Sequence, residues 1–234
     1  MQVRQLFDNG TFSFSYLLID DARRAAVLID PVSERLERDL RLIHELELSL
    51  VYVLETHVHA DHVTSAAALA ERTGAKTAAS RLGAACAERH LQDGDALQFG
   101  LTTLRALETP GHTPDSLSFF VSGHVFTGDA LLVRGTGRSD FQDGDSDALY
   151  DSIIQKLFTL PNDTLVWPGH DYHGQSVTTI AEERRHNPRL AGKTREEFRA
   201  IMQALELAPP QRIHTAVPAN LRCGRDNGAR AERS

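Results

Sequence analysis

Seven consecutive residues, Thr56-His57-Val58-His59-Ala60-Asp61-His62, carry three imidazoles and one carboxylate. Imidazole is a good ligand for zinc, iron, copper and nickel, and a carboxylate adds a harder oxygen donor. A solvated polar loop would account for one such histidine. It accounts poorly for four metal-capable side chains in so short a run. The loop follows the apolar stretch Leu50 to Leu54, which reads as a buried strand. A strand fixes where the loop begins, and the loop can then fold back to aim several side chains at one point. Metal-assisted chemistry is the expectation.

Three later turns repeat the arrangement. Leu104 to Glu108 leads into Thr109-Pro110-Gly111-His112-Thr113, Val125 to Thr127 into Gly128-Asp129-Ala130, and Thr164 to Trp167 into Pro168-Gly169-His170-Asp171-Tyr172. Each places a histidine or aspartate just past an apolar strand, with glycine beside it to let the backbone bend and approach closely. Any one of these is an ordinary loop. Four together predict one composite site.

The elements that must position these turns are alternating strands and helices. Thr11 to Ile19 alternates polar and apolar residues as a half-buried strand does, and Asp20-Asp21 turns it into a second strand, Ala25 to Ile29, stopped by Asp30-Pro31. Ser33, with Glu34 and Glu37 behind it, opens a helix whose apolar spacing continues to about Leu48. Further helices are expected at Thr64 to Arg72, Asp147 to Leu160, Gln175 to Arg185 and Arg195 to Leu207, with short strands at Leu101 to Glu108, Ser116 to Val121, His124 to Thr127 and Thr164 to Trp167. Two similar blocks of this kind predict an α/β fold of two sheets between helices. One domain is expected over 1–224, including a C-terminal helical segment at about 175–208, with a mobile tail over 225–234.

Composition narrows the class. A 234-residue chain with 41% hydrophobic residues can build one large core. Its net charge of −7 gives no support to a nucleic-acid partner, and no apolar run approaches the roughly 20 residues that span a bilayer. Cys86 and Cys223 lie far apart and suggest neither a disulfide framework nor a cysteine metal site, so a reducing compartment is expected. The opening residues lack a signal-peptide pattern. With alanine and arginine abundant and lysine scarce, the expectation is a bacterial cytoplasmic protein.

The order H-x-H-x-D-H, P-G-H-T, T-G-D, P-G-H resembles the motif set of the metallo-β-lactamase fold superfamily, whose αββα sandwich of two mixed sheets flanked by helices fits the pattern above. By that resemblance His57, His59 and His112 match a first metal position, Asp61, His62 and His170 a second, and Asp129 the carboxylate between them. The stretch Arg134-Gly135-Thr136-Gly137-Arg138-Ser139-Asp140-Phe141-Gln142 is more selective. Together with P-G-H-D-Y-H-G at 168–174, E-E-R-R-H-N-P-R at 182–189 and V-P-A-N-L-R-C-G at 217–224, it resembles the persulfide (sulfur) dioxygenases, the group named for ethylmalonic encephalopathy in humans.

That resemblance implies one Fe(II) per chain, held by His57, His112 and Asp129, a 2-His-1-carboxylate triad with open faces. His59, Asp61, His62 and His170 then become catalytic residues around the triad, orienting ligands and hydrogen-bonding substrate or water. The substrates implied are glutathione persulfide and O2, with Tyr172 and Arg189 holding the glutathione moiety. Arg138 is a further substrate-binding candidate, although Arg138 with Asp140 reads equally as an internal ion pair. Cys223 reads as a small buried residue or a redox-sensitive thiol near the pocket, the buried reading being favoured for an isolated cysteine. Some members carry cysteine where this chain has Thr136, so chemistry at such a cysteine is not expected here. A homodimer is expected by the same resemblance.

The chief rival is a glyoxalase II-like hydroxyacylglutathione hydrolase, in which two metals activate water. All seven ligand positions survive, so ligand identity does not exclude it. Against it stand the R-G-T-G-R-S-D-F-Q stretch and the 64 residues after His170, short for that family's helical extension. A nuclease of the same fold would need a basic track. A flavin-linked diiron reductase would need glutamate where His59 stands.

Overall fold

The computed structural model describes residues 1–225; the tail expected to be mobile lies, but for Arg225, outside them. Twelve strands form two sheets. The first contains β1 (Gln2–Asp8), β2 (Ser13–Asp20), β3 (Ala25–Ile29), β4 (Ser49–Leu54), β5 (Lys76–Ser80) and β6 (Arg89–Leu91), hydrogen-bonded in that order. β2 pairs antiparallel with both β1 and β3, and β3 to β6 run parallel. The second sheet runs from β7 (Ala96–Phe99) through β8 (Thr102–Glu108), β9 (Leu117–Val121), β10 (His124–Gly128) and β11 (Leu165–Pro168) to β12 (Thr178–Thr179), with β10 and β11 parallel and the other neighbouring pairs antiparallel. The expected sandwich of two mixed sheets is observed.

Strand alternation sends each sheet's residues to two different cores. Phe14, Tyr16, Leu18, Val27, Ile29 and Leu54 face Leu104, Ala106, Leu117, Phe119 and Phe126 between the sheets. The opposite face of the first sheet, with Leu17, Ile19, Leu28 and Val53, is covered by Ile43 of α1 (Leu36–Glu45) and Leu69 of α2 (Ala66–Thr73). Val125 and Val166 on the outer face of the second sheet pack on α3 (Ser146–Gln155), α4 (Ile180–His186) and α5 (Arg195–Gln203) through Leu149, Ile153, Ile180, Phe198 and Met202. Helices therefore close both outer faces.

Several expectations change. β2 is buried along its whole length instead of on one face, because helices and the second sheet cover both sides. Its serines are tolerated there by donating hydrogen bonds, Ser13 to Asp61 Oδ2 at 2.8 Å and Ser15 to the Asp30 carbonyl at 2.7 Å. β5, β6 and β7 were not expected. Lys76–Ser80 has little strand propensity, and pairing with β4 decides its conformation. The helix expected to reach Leu207 stops at Gln203, and an additional helix, α6 (Ile213–Asn220), follows an irregular strap. Most plainly corrected is the cysteine reading: Cys86 and Cys223 form a disulfide. A sequence separation of 137 sets no lower bound on distance once α6 folds back beside the β5–β6 loop. The compartment inferred from unpaired cysteines loses that support. Among the described residues no helix is long and apolar enough to cross a membrane.

The E-E-R-R-H-N-P-R segment has a structural task. Glu183 is fully buried and accepts from the Arg134 backbone N–H at 2.9 Å, the Arg134 guanidinium, Thr178 Oγ1 at 2.9 Å and Asn187 Nδ2 at 2.8 Å. Asn187 Nδ2 also donates to the Gly135 carbonyl at 3.0 Å. These bonds fasten residues 134–135 to α4. Glu183→Ala would leave the donors unpaired and is expected to cost about 3–5 kcal/mol, read from chemical denaturation. A loss below about 1 kcal/mol would mean that the network adds no more than a surface pair.

Candidate metal centre

All four polar turns open at the same edge of the sandwich. His57, His112 and Asp129 bring one ligand atom each within 4.8 Å of one another, and His112 Nε2 lies 3.6 Å from Asp129 Oδ2. The rings of His57 and His112 stand nearly perpendicular, at 86°, with centroids 4.8 Å apart. Two imidazoles and a carboxylate converging from three loops could supply one face of a coordination sphere.

Each of these three side chains is fixed from behind. Thr56 Oγ1 donates to Asp30 Oδ2 at 2.7 Å, so the same oxygen accepts from His57 Nδ1–H at 2.9 Å. The His57 Nε2 lone pair is thereby turned to the centre. Burial, with His59 and His112 nearby, pushes the His57 pKa well below its ordinary value, which keeps the neutral, ligating form. His112 Nδ1–H donates to the Arg138 carbonyl at 2.6 Å, leaving its Nε2 available in turn. Asp129 Oδ1 accepts from His170 Nδ1 at 2.7 Å. Close approach needs glycine here: a Cβ on Gly169 would sit 2.6 Å from Asp129 Oδ1, and one on Gly137 would sit 2.3 Å from the Asp129 carbonyl oxygen.

His170 does not join a compact ligand group. It bridges Asp129 and Asp61 instead, with Nε2 3.1 Å from Asp61 Oδ2. Burial opposes its charge, but carboxylates on both ring nitrogens outweigh that and raise its pKa well above the usual value. Burial likewise works against the Asp61 charge, and His62 and His170 overcome it to hold that pKa well below the carboxylate range. Asp61 Oδ2 also faces Ser13 Oγ at 2.8 Å and His62 Nδ1 at 2.9 Å. His59, Asp61 and His62 nevertheless form a second group with ligand atoms within 4.8 Å. The buried His62 Nε2 and both nitrogens of His59 lack an aligned hydrogen-bond partner. Orphaned imidazole nitrogens beside a triad of this chemistry fit a metal-binding site.

Some contributors were not singled out from the sequence. Asp30, read there only as a strand stop, accepts from both the backbone and the hydroxyl of Thr56, each at 2.7 Å. Asp115 accepts from the Val58 N–H, and Gln142 Nε2 donates to the Val58 carbonyl, each at 2.8 Å. Asn220 reaches the same loop from α6. Aspartate directly after an apolar strand was the available signal for Asp30.

A cleft of about 650 Å³ opens over the triad, lined in part by Arg134, Thr136, Arg138, Tyr172, Arg189 and Leu207. Arg134 is paired with Glu182 and Glu183. Arg138 pairs two-pronged with Asp140, at 2.6 and 2.7 Å, and donates to the Ala208 carbonyl at 2.6 Å. Arg189 has no carboxylate partner among the described residues. Its Nη1 donates to the Thr136 carbonyl at 2.8 Å, and burial alone lowers its pKa. Tyr172, 60% exposed, stacks on His170 with an interplanar angle of 8°.

Comparison with known proteins gives the family. Residues 8–170 match the family model described as the metallo-beta-lactamase superfamily. The human mitochondrial persulfide dioxygenase is 50% identical over 95% of this chain and 88% of its own length. The crystal structure of ETHE1 from Myxococcus xanthus superposes with a TM-score of 0.95 at 55% identity, covering 96% of this chain and all of that one. A di-iron-bound structure of TTHA1623 is 30% identical with a TM-score of 0.68, over 80% of this chain and all of that one. These relatives correct the bacterial cytoplasmic placement, since the human protein and its bovine and mouse counterparts are named mitochondrial. Composition does not outweigh them, and a bacterial relative stands beside them. The chain belongs to the metallo-β-lactamase superfamily and, within it, to the persulfide dioxygenases, which makes it an oxidoreductase.

Proposed function

We propose that the chain uses one Fe(II), on His57, His112 and Asp129, to oxidise glutathione persulfide with O2 and water to glutathione and sulfite. The observation that carries this reading is the three-ligand set, each member held from behind by a protein group. Fe(II) on such a triad would supply electrons to O2, which redox-inert zinc does not, and three protein ligands would leave positions free for O2 and the persulfide. In the balanced reaction the outer sulfur takes both atoms of O2, water cleaves the sulfur–sulfur bond, and the thiol leaves with a proton.

The chain's own residues supply binding and proton placement. Arg189, the cleft arginine not neutralised by a carboxylate, is suited to a two-pronged bond with a glutathione carboxylate. Tyr172 offers its ring and hydroxyl at the cleft mouth. Arg138, committed to Asp140 and the strap, acts on substrate by shaping the wall opposite. His170 keeps a proton between Asp129 and Asp61, so Asp129 stays ionised and oriented. Asp61 is engaged by Ser13, His62 and His170, and His59 lies 3.2 Å from Asp30 Oδ1. These contacts favour Asp61 as a residue beside the triad, and the unpartnered nitrogens of His59 and His62 are left to bind water or substrate next to it.

A second reading, a dinuclear hydroxyacylglutathione hydrolase, is favoured by the close His59, Asp61 and His62 group. Oxygen consumption with glutathione persulfide, run beside hydrolysis of S-lactoylglutathione, separates the two. The dioxygenase reading requires the first to dominate. His112→Ala is expected to abolish iron retention, whereas His62→Ala keeps iron by elemental analysis and loses activity about 10–100-fold. Two equivalents of zinc in the active protein would overturn the iron assignment. Arg189→Ala is expected to raise KM about tenfold or more with a smaller fall in kcat. An unchanged KM would remove Arg189 from the substrate site.

A further inference from the structure

The metal loop is gripped from the far end of the chain. Asn220, the last residue of α6 and 4% exposed, accepts from the Thr64 N–H at 2.8 Å through Oδ1. Its Nδ2 donates to the carbonyls of His59, at 2.9 Å, and His62, at 2.8 Å. One amide therefore satisfies three backbone groups on the loop that carries His57 to His62. Immediately beyond it, the Cys223 carbonyl accepts from the Ala67 N–H at 3.1 Å. Gly224 lies so close that a Cβ there would meet the Thr64 oxygen at 1.9 Å.

Apolar packing does little to hold this grip. Apart from Asn220 itself, α6 buries only Ala216 and Ala219, and the local cluster is Ala67, Ala84, Cys223 and part of Cys86. Two alanine side chains supply a small fraction of what a docked leucine or phenylalanine would. The covalent tie is the Cys86–Cys223 disulfide, three residues after Asn220, which anchors α6 to the loop between β5 and β6. Without that tie, α6 belongs to the class of segments that open locally at low free-energy cost.

We infer that Asn220 is a positioning residue for the metal loop and that the Cys86–Cys223 disulfide makes its grip depend on thiol redox state. Cys86 is half-buried and Cys223 buried, so Cys86 is the sulfur open to attack. An external thiolate bonds to Cys86, the intramolecular S–S bond breaks, and Cys223 leaves as a thiolate and takes a proton. A second external thiol releases Cys86, so a dithiol, or two monothiols, supplies two electrons and becomes a disulfide. Reduction frees α6, Asn220 disengages, and the carbonyls of His59 and His62 lose their donor. The loop then samples more conformations and holds His57 less firmly. The inference needs a metal on the triad, but not any particular substrate.

The test reads backbone amide exchange of residues 57–66 and iron release to a chelator, in the iron-loaded protein before and after reduction with a phosphine. Reduction is expected to speed both by about tenfold. Cys86→Ser should show the fast rates with or without reductant. Asn220→Ala should show them before reduction, with its disulfide intact, and no further rise after it. Asn220→Asp, which keeps the acceptor for Thr64 and loses the donors, serves if Asn220→Ala does not fold. Equal rates in oxidised and reduced protein, slow rates in Cys86→Ser, or two alkylatable thiols in the air-equilibrated chain would overturn the proposal. Amide exchange repeated on metal-free protein keeps this result separable from the iron and persulfide reading, which stands or falls on oxygen consumption.

Discussion

Thr56 and Asp30 meet where the two sheets converge. Asp30 closes β3, is 2% exposed, and receives two hydrogen bonds from Thr56 at 2.7 Å, one from the backbone and one from the hydroxyl. The Thr56 carbonyl accepts from the Leu117 N–H at 2.7 Å, so the same residue also ties the first sheet to the start of β9 in the second. Its hydroxyl oxygen then sets the His57 ring. A buried carboxylate is costly unless its lone pairs are occupied, and here its occupants are the residue that begins the metal loop. Sheet docking and the orientation of His57 are one set of bonds.

How much of this was legible in sequence follows from what sequence encodes locally. The four ligand-bearing turns could be read because each follows an apolar strand and contains glycine beside a histidine or aspartate. The R-G-T-G-R-S-D-F-Q stretch was read as selective for the reaction, and the structure gives its residues physical work. Gly137 permits close packing on Asp129, the Arg138 carbonyl orients His112, Thr136 receives Arg189, and Gln142 supports the loop at Val58. Features that depend on distant partners were not legible. Asp30 resembled a strand terminator, β5 lacked propensity of its own, and α6 has neither a strong apolar face nor freedom from proline, with Pro218 inside it. The disulfide needed the three-dimensional return of α6.

The cleft shows how a fold selects among similar charges. Three arginines line it, and two have their charge answered within the protein, Arg134 by Glu182 and Glu183 and Arg138 by Asp140. These two act as struts, one holding residues 134–135 to α4 and the other holding the strap at Leu207 and Ala208. Arg189 keeps its cationic demand unsatisfied. Counting arginines would overstate the anion-binding capacity of the wall. Electrostatic pairing decides which of them faces a ligand as a charge.

The division of ligands between the sheets has a consequence for biosynthesis. The first sheet and its loop supply His57, whereas His112 and Asp129 follow strands of the second sheet. A nascent chain emerging amino-terminus first has one ligand available when the first sheet is complete, and three only after its second half has emerged and docked. Asn220 and Cys223 arrive later still and close over the loop at His59 and His62. With the ion on these three side chains as proposed, metal acquisition is a late event in the life of the chain.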